Sequence, residues 1–227
     1  MNEVQLGFAL ARERLRGLAA LVSLLIGATV FFALGVLARR VDSSSAADGV
    51  LACVFGFALP ICAYLVSGRV CDGERLDRGL DAVARYGTSR RQALLGVLLG
   101  SALFIAAATA LFTLAGLLGA HSPGAAGFAS ELRASLGIAL LSGMVYAVWF
   151  GAASAFGKRG GGRKWALIGD FVLGAGGSAL AAPFPRAHVR NLLGGEPVLG
   201  SAQSSAWLAL IAIGVLCVAL GMTRTAD

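Results

Sequence analysis

The stretch CDGERLDRGLDAVARYGTSRRQALLG, Cys71 to Gly96, lies between two long apolar runs. It is too polar to cross a membrane, yet it carries ordered punctuation. Asp72 or Gly73 can start a helix. Glu74–Arg78 and Asp81–Arg85 are spaced i,i+4 with the acid first, the favourable order on a helix. Leu76, Leu80 and Val83 form an apolar stripe. Gly87 can end that helix as the residue past its C-cap, and Thr88 or Ser89 can cap the next one. The spacing therefore predicts a short amphipathic helix, a Gly-Thr-Ser break, and an arginine-marked start of a long apolar helix at Arg90-Arg91-Gln92.

The surrounding composition sets the class. The 227 residues are 57% hydrophobic and 14% charged, with a mean hydropathy of +0.79. A water-soluble domain carries about 25% charged residues. The runs between charges match the roughly 20 residues that a bilayer core demands of a helix. The expectation is an all-α polytopic membrane protein, one domain over residues 1–227. Its six spans fall at about 17–38, 49–69, 92–119, 134–156, 165–184 and 206–222. Pro60 falls inside the second. The two prolines of PFP, Pro183 to Pro185, mark the end of the fifth, and His188 to Leu193 follows as a short helical piece at or dipping into the outer interface. Val4, Phe8, Ala11 and Leu15 share one face of an N-terminal helix, with Arg12, Arg14 and Arg16 crowding its end, as in a helix lying on a membrane surface.

Loop charge sets orientation. With the N-terminus inside, 14 of the 19 lysines and arginines fall in inner segments. Both termini are then expected in the cytoplasm of a multi-pass chain in the plasma (inner) membrane. The net charge of +7 is explained by topology, so no nucleic-acid partner is expected.

Here a family resemblance enters. Glu74…Arg85-Tyr86-Gly87-Thr88-Ser89-Arg90, the N-terminal surface helix and the irregular outer segment before the last span together resemble the permease subunit of a type-2 ABC exporter. "DGERLDRGL" matches that family's usual string after span two only loosely. The resemblance implies that the helix at 73–91 is a coupling helix docking on a separate ABC ATPase subunit. Leu76, Leu80 and Val83 would give apolar contacts, with Glu74, Arg78, Arg85, Tyr86 and Arg90 at its polar side. It also implies a second permease copy or paralogue, with ATP and magnesium held by the partner. The substrate stays open.

Other chemistry finds less support. GKRGGGRK, Gly157 to Lys164, lacks the spacing of a phosphate-binding loop and reads as an inner loop. His121 and His188 are the only histidines, and both fall in outer segments, so no catalytic, cofactor or metal site is expected. Cys53, Cys62, Cys71 and Cys217 form no paired motif and read as small packing residues. Asp170 is the one carboxylate inside an expected span, with Arg163, Lys164 or a neighbouring helix to pair with. An ion-coupled secondary transporter or channel-like protein without an ATPase is the alternative. Gly96 and Gly100, and Gly174, Gly176 and Gly177, are candidates for close helix packing.

Overall fold

The computed structural model describes residues 2–84, 87, 89–122, 124, 125 and 127–225. The described chain is all-helical. Helix α1 (Glu3–Leu15) is followed by α2 (Leu18–Val41), then by α3 (Ala46–Cys53) and α4 (Leu59–Val70), which a π-helical turn at 54–58 joins into one rod. Two single turns, α5 (Leu76–Gly79) and α6 (Asp81–Ala84), lead into the long α7 (Arg90–Ala120) and then α8 (Phe128–Ala153). A broken region holds α9 (Gly162–Val172) and α10 (Pro185–Leu192), and α11 (Gln203–Arg224) closes the order. Among the described residues five helices are long and apolar enough to cross a membrane: α2, the α3–α4 rod, α7, α8 and α11. That set is compatible with a membrane-embedded protein.

Helix α7 is the axis of the bundle. An apolar stretch of it is 61% buried, against 6% for α2, which lies at the outside of the bundle against α7 and α3. The directions follow from the contacts. Gly35 and Gly119 let α2 run parallel to α7 with backbones touching, since a Cβ at Gly119 would sit 2.2 Å from the Phe32 carbonyl oxygen. Gly143 of α8 rests on Ala106, and Gly151 meets Leu98, so α8 is antiparallel to α7. Gly137 faces Trp207, and Gly214 faces Val145 and Val148, so α11 runs parallel to α8. The start of α7 and the ends of α4, α8 and α11 therefore share one end of the bundle with α1. We call this the terminal end.

Pro60 explains the π turn. Proline has no N–H to donate, and its ring crowds the carbonyl four residues back. The helix accommodates it by widening, and the Leu59 N–H reaches back five residues to the Val54 carbonyl.

Helix α1 is capped by Asn2 and Gln5, each side chain bonding the other's backbone N–H, at 2.8 and 3.0 Å. It does not simply lie on a surface. Gly7, Ala11 and Leu15 are buried, and the helix presses on α7 at Ala93, Gly96 and Gly100. The close-packing expectation for Gly96 and Gly100 thus holds.

The fifth expected span, 165–184, is not one helix. Helix α9 stops at Val172 after 11 residues, about 16 Å of rise, or half of a bilayer core. Gly174, Gly176 and Gly177 weaken helix continuation, and Pro183 and Pro185 deny it N–H donors. Residues 173–184 make an excursion to the far end, where the Leu199 N–H bonds the Gly177 carbonyl at 2.9 Å. The chain returns so that Phe184 packs on Gly169 and Gly174. It then leaves as α10, three residues earlier than expected. The six-helix count is therefore corrected to five continuous helices plus this broken passage.

Candidate functional site

Two places bear on function, and the first is the charged element at the terminal end. Asp72 and Gly73 both have positive φ, +55° and +71°. They do not start a helix; they reverse the chain after α4, with the Gly73 N–H bonding the Gly68 carbonyl at 2.8 Å. The expected single helix is instead two short turns, α5 and α6, with Leu80 between them. The Leu76 N–H bonds the Ser154 carbonyl at the end of α8 at 3.2 Å. Arg14 of α1 donates from Nη1 to the carbonyls of Val70 and Gly79, the latter at 3.0 Å, and the Arg69 Nε–H returns a bond to the Arg14 carbonyl at 2.7 Å. The element is thus fastened to α1, α4 and α8 at once.

The apolar stripe faces inward. Leu76 and Leu80 are 1% exposed and Val83 5%, and all three belong to the same core as Leu94, Leu98 and Tyr146. Leu76 also meets the end of α11 at Gly221. The family resemblance assigns these three positions to apolar contacts with a partner; in this structure they hold the element to its own bundle. The outward edge is polar. Glu74 and Arg78 approach to 3.7 Å, an ion pair outside hydrogen-bond range, and Arg75–Asp77 and Arg90–Asp81 pair at 3.1 and 3.0 Å. Such exposed pairs contribute little stability. Arg85 and Tyr86 lie outside the described residues. Ser89 stands at the N-cap of α7 with no side-chain cap bond.

The second place is a buried polar knot where the broken passage meets α8. Asp170, near the end of α9, is fully buried. Its Oδ2 accepts the Tyr146 hydroxyl at 2.7 Å. Its Oδ1 accepts the backbone N–H of Arg186, the second residue of α10, at 3.2 Å. Pro185 offers no N–H there, so the carboxylate caps the first free donor of α10 and sits at the positive end of its dipole. Neither Arg163 nor Lys164 supplies the partner. The Arg163 Nε–H donates to the Gly160 carbonyl at 3.3 Å.

The Arg186 guanidinium lies over Phe171, 4.4 Å from the ring centroid, and 5.5 Å from that of Phe57. Its Nε and Nη1 are buried without a hydrogen-bond acceptor. Tyr146 and Arg186 did not stand out in the sequence. Tyr146 is one aromatic in an apolar span, and Arg186 falls in an outer segment, 16 positions from its carboxylate. Among the described residues no three His, Cys, Asp or Glu side chains gather into a metal-holding group.

No protein-family model, curated protein or solved structure matches this chain.

Proposed function

We propose that the chain is the transmembrane subunit of an ABC exporter, coupled to a separate ATPase through the element at 73–91. The observation that supports this is the fastening at the terminal end. One charged element is bonded to α1 and α8 and packed against α11, with its polar edge left outward. A push on that edge reaches α7, the bundle axis, through the core that Leu76, Leu80 and Val83 share with Leu94 and Leu98, with the Asp81–Arg90 pair beside it. A docked ATPase drives transport only if it sits better on one permease state than on the other. The terminal end carries Arg12, Arg14, Arg16, Arg69, Arg75, Arg78, Arg90, Arg91, Lys158, Arg159, Arg163, Lys164 and Arg224, the bias expected of a cytoplasmic face. Two copies, or one copy with a paralogue, would enclose the pathway.

Recognition then runs through Glu74, Arg75, Asp77 and Arg78 rather than the buried stripe. The test reverses charge on that edge with Arg78→Glu and Glu74→Arg. Purification from native membranes should bring down an ATPase with a phosphate-binding loop, and the double variant should lose it while staying folded. Retained association together with unchanged ATP-driven transport would sink the proposal.

The buried Asp170 between two half-helices favours a second reading, ion-coupled transport without an ATPase. Uptake or efflux driven by an ion gradient alone in reconstituted vesicles, abolished in Asp170→Asn, would favour it over the first.

A further inference from the structure

Helices α3 and α10 flank a cleft that closes where α10 meets the π turn. Asp48, Leu51, Ala52 and Phe55 repeat at i, i+3, i+4 and i+7 on α3 and its π turn. Arg186, Val189, Arg190 and Leu193 repeat the same spacing along α10 and the residue after it. Together with Gly56 and Phe57 they line a cleft of about 440 Å3. Arg186 stands at the inner end, next to Gly56, where a Cβ would lie 3.6 Å from Nη2. Arg190 is one turn nearer the far end of the bundle, and Asp48 lies at that mouth.

Among the residues lining the cleft, two guanidiniums face one carboxylate, that of Asp48, which is exposed. Behind the cleft the buried Asp170 carboxylate is an electrostatic neighbour of Arg186 without a hydrogen bond to its guanidinium. The Asp170 carboxylate is taken by the Tyr146 hydroxyl and by a backbone N–H, not by the guanidinium of Arg186. Stacking on Phe171 and Phe57 offsets part of the charge. It offers no acceptor to Nε–H and Nη1–H, which stay unpaired in buried surroundings. An unpaired buried donor of this kind calls for an explanation, and an oxyanion supplies the missing acceptor oxygens together with a countercharge for Arg190. The remaining walls, Leu51, Phe55, Phe57, Val189 and Leu193, are apolar.

We propose that the cleft between α3 and α10 binds an amphiphile with one oxyanion group, phosphate or carboxylate, its head on Arg186 and Arg190 and its apolar body along the walls. The site needs no ATPase and stands apart from the transport reading.

The test uses full-length protein in dodecyl maltoside, with dodecyl phosphate as probe and calorimetry and thermal shift as readouts. Saturable binding is expected, about tenfold or more weaker in Arg186→Gln, since hydrogen bonds to charged groups are the strong ones. Arg190→Gln, at a half-exposed position, should lose about threefold. Arg40→Gln, exposed on α2, should bind as the parent does. Arg186→Lys should recover part of the loss. If Arg186→Gln does not fold, Arg190→Gln decides, and unchanged affinity there overturns the proposal. So does an absence of saturable binding, or inorganic phosphate binding as tightly as dodecyl phosphate.

Discussion

Replacing Gly96 by alanine tests whether α1 is a fixed part of the bundle. An added Cβ would lie 2.0 Å from the Val4 carbonyl oxygen and 2.6 Å from the Phe8 nitrogen, where ordinary contact starts at 3.4 Å. The shortfall at Val4 is 3.4 minus 2.0, or 1.4 Å. Both obstacles are backbone, so no rotamer change relieves them and α1 must back away from α7. A gap of about 0.5–1 Å already forfeits a quarter to a half of a dispersion contact. Overpacking of this kind costs about 1–3 kcal/mol, while alanine in place of a helical glycine returns about 1 kcal/mol. A 1.4 Å shortfall against backbone puts the cost in the upper part of that range, about 2–3 kcal/mol, so the clash wins by about 1–2 kcal/mol, which raises the open population of α1 about 5–30-fold. Hydrogen exchange in detergent should show that acceleration across residues 3–15, with α8 and α11 unchanged. Gly137→Ala is the control. Its Cβ meets only the Trp207 ring, at 3.7 Å, so the helix gain stands alone and the protein should be neutral or up to about 1 kcal/mol more stable. Equal exchange of α1 in Gly96→Ala and parent would refute the seam.

Further outcomes are expected elsewhere. Tyr146→Phe removes a donor from the buried Asp170 and should cost about 1–3 kcal/mol, read as a lowered melting temperature; no change would mean that the knot is not formed. Leu80→Asp places a charge in the core and should prevent folding or cost upward of about 3 kcal/mol, seen as lost monodisperse protein, whereas a well-folded variant would show the stripe to be outward. The Asp42 carboxyl is drawn down from 3.8 to about 2 by the Ser44 hydroxyl, then by the Ser45 hydroxyl and the Ser44 N–H. A depressed carboxylate contributes fully above its unfolded value and loses the contribution as pH falls through the folded one. The 42–45 turn should therefore persist at pH 4 and open toward pH 2, followed by carboxyl carbon shifts; a midpoint at 3.8 would count against those bonds.

What could be read from the sequence was decided by how much each signal says about continuity. The spans at α2, α3–α4, α7, α8 and α11 follow from charge-free runs, because apolar length alone decides them. The region 165–184 has the same composition, but hydropathy measures burial and not helical continuity. Its glycines and two prolines carried the break, and the notion of glycine as a packing residue masked it. The stripe Leu76–Leu80–Val83 was legible as an amphipathic face, yet such a face does not say whether the molecule's own core or a partner covers it. The Asp170–Tyr146–Arg186 knot was illegible for a simpler reason. Its residues meet only because the excursion at 173–184 returns to its starting point, and no local spacing encodes that return.

The π turn at 54–58 has a consequence for how this chain tolerates change. It is one residue more than a regular helix would use. Deleting one residue there would restore a regular helix with both halves still in phase; deleting a second would shorten the rod by only about 3 Å in all, but would turn everything on its N-terminal side by about 100°. Ala63, Val66 and Val70 would keep their burial on one side of the joint. Asp48, Leu51 and Ala52 would swing out of phase with α10 on the other. The helix would still span the same thickness and carry the same composition, so a length or hydropathy comparison would score the two versions alike. Only the phase of the upper half records whether α3 and α10 still face each other.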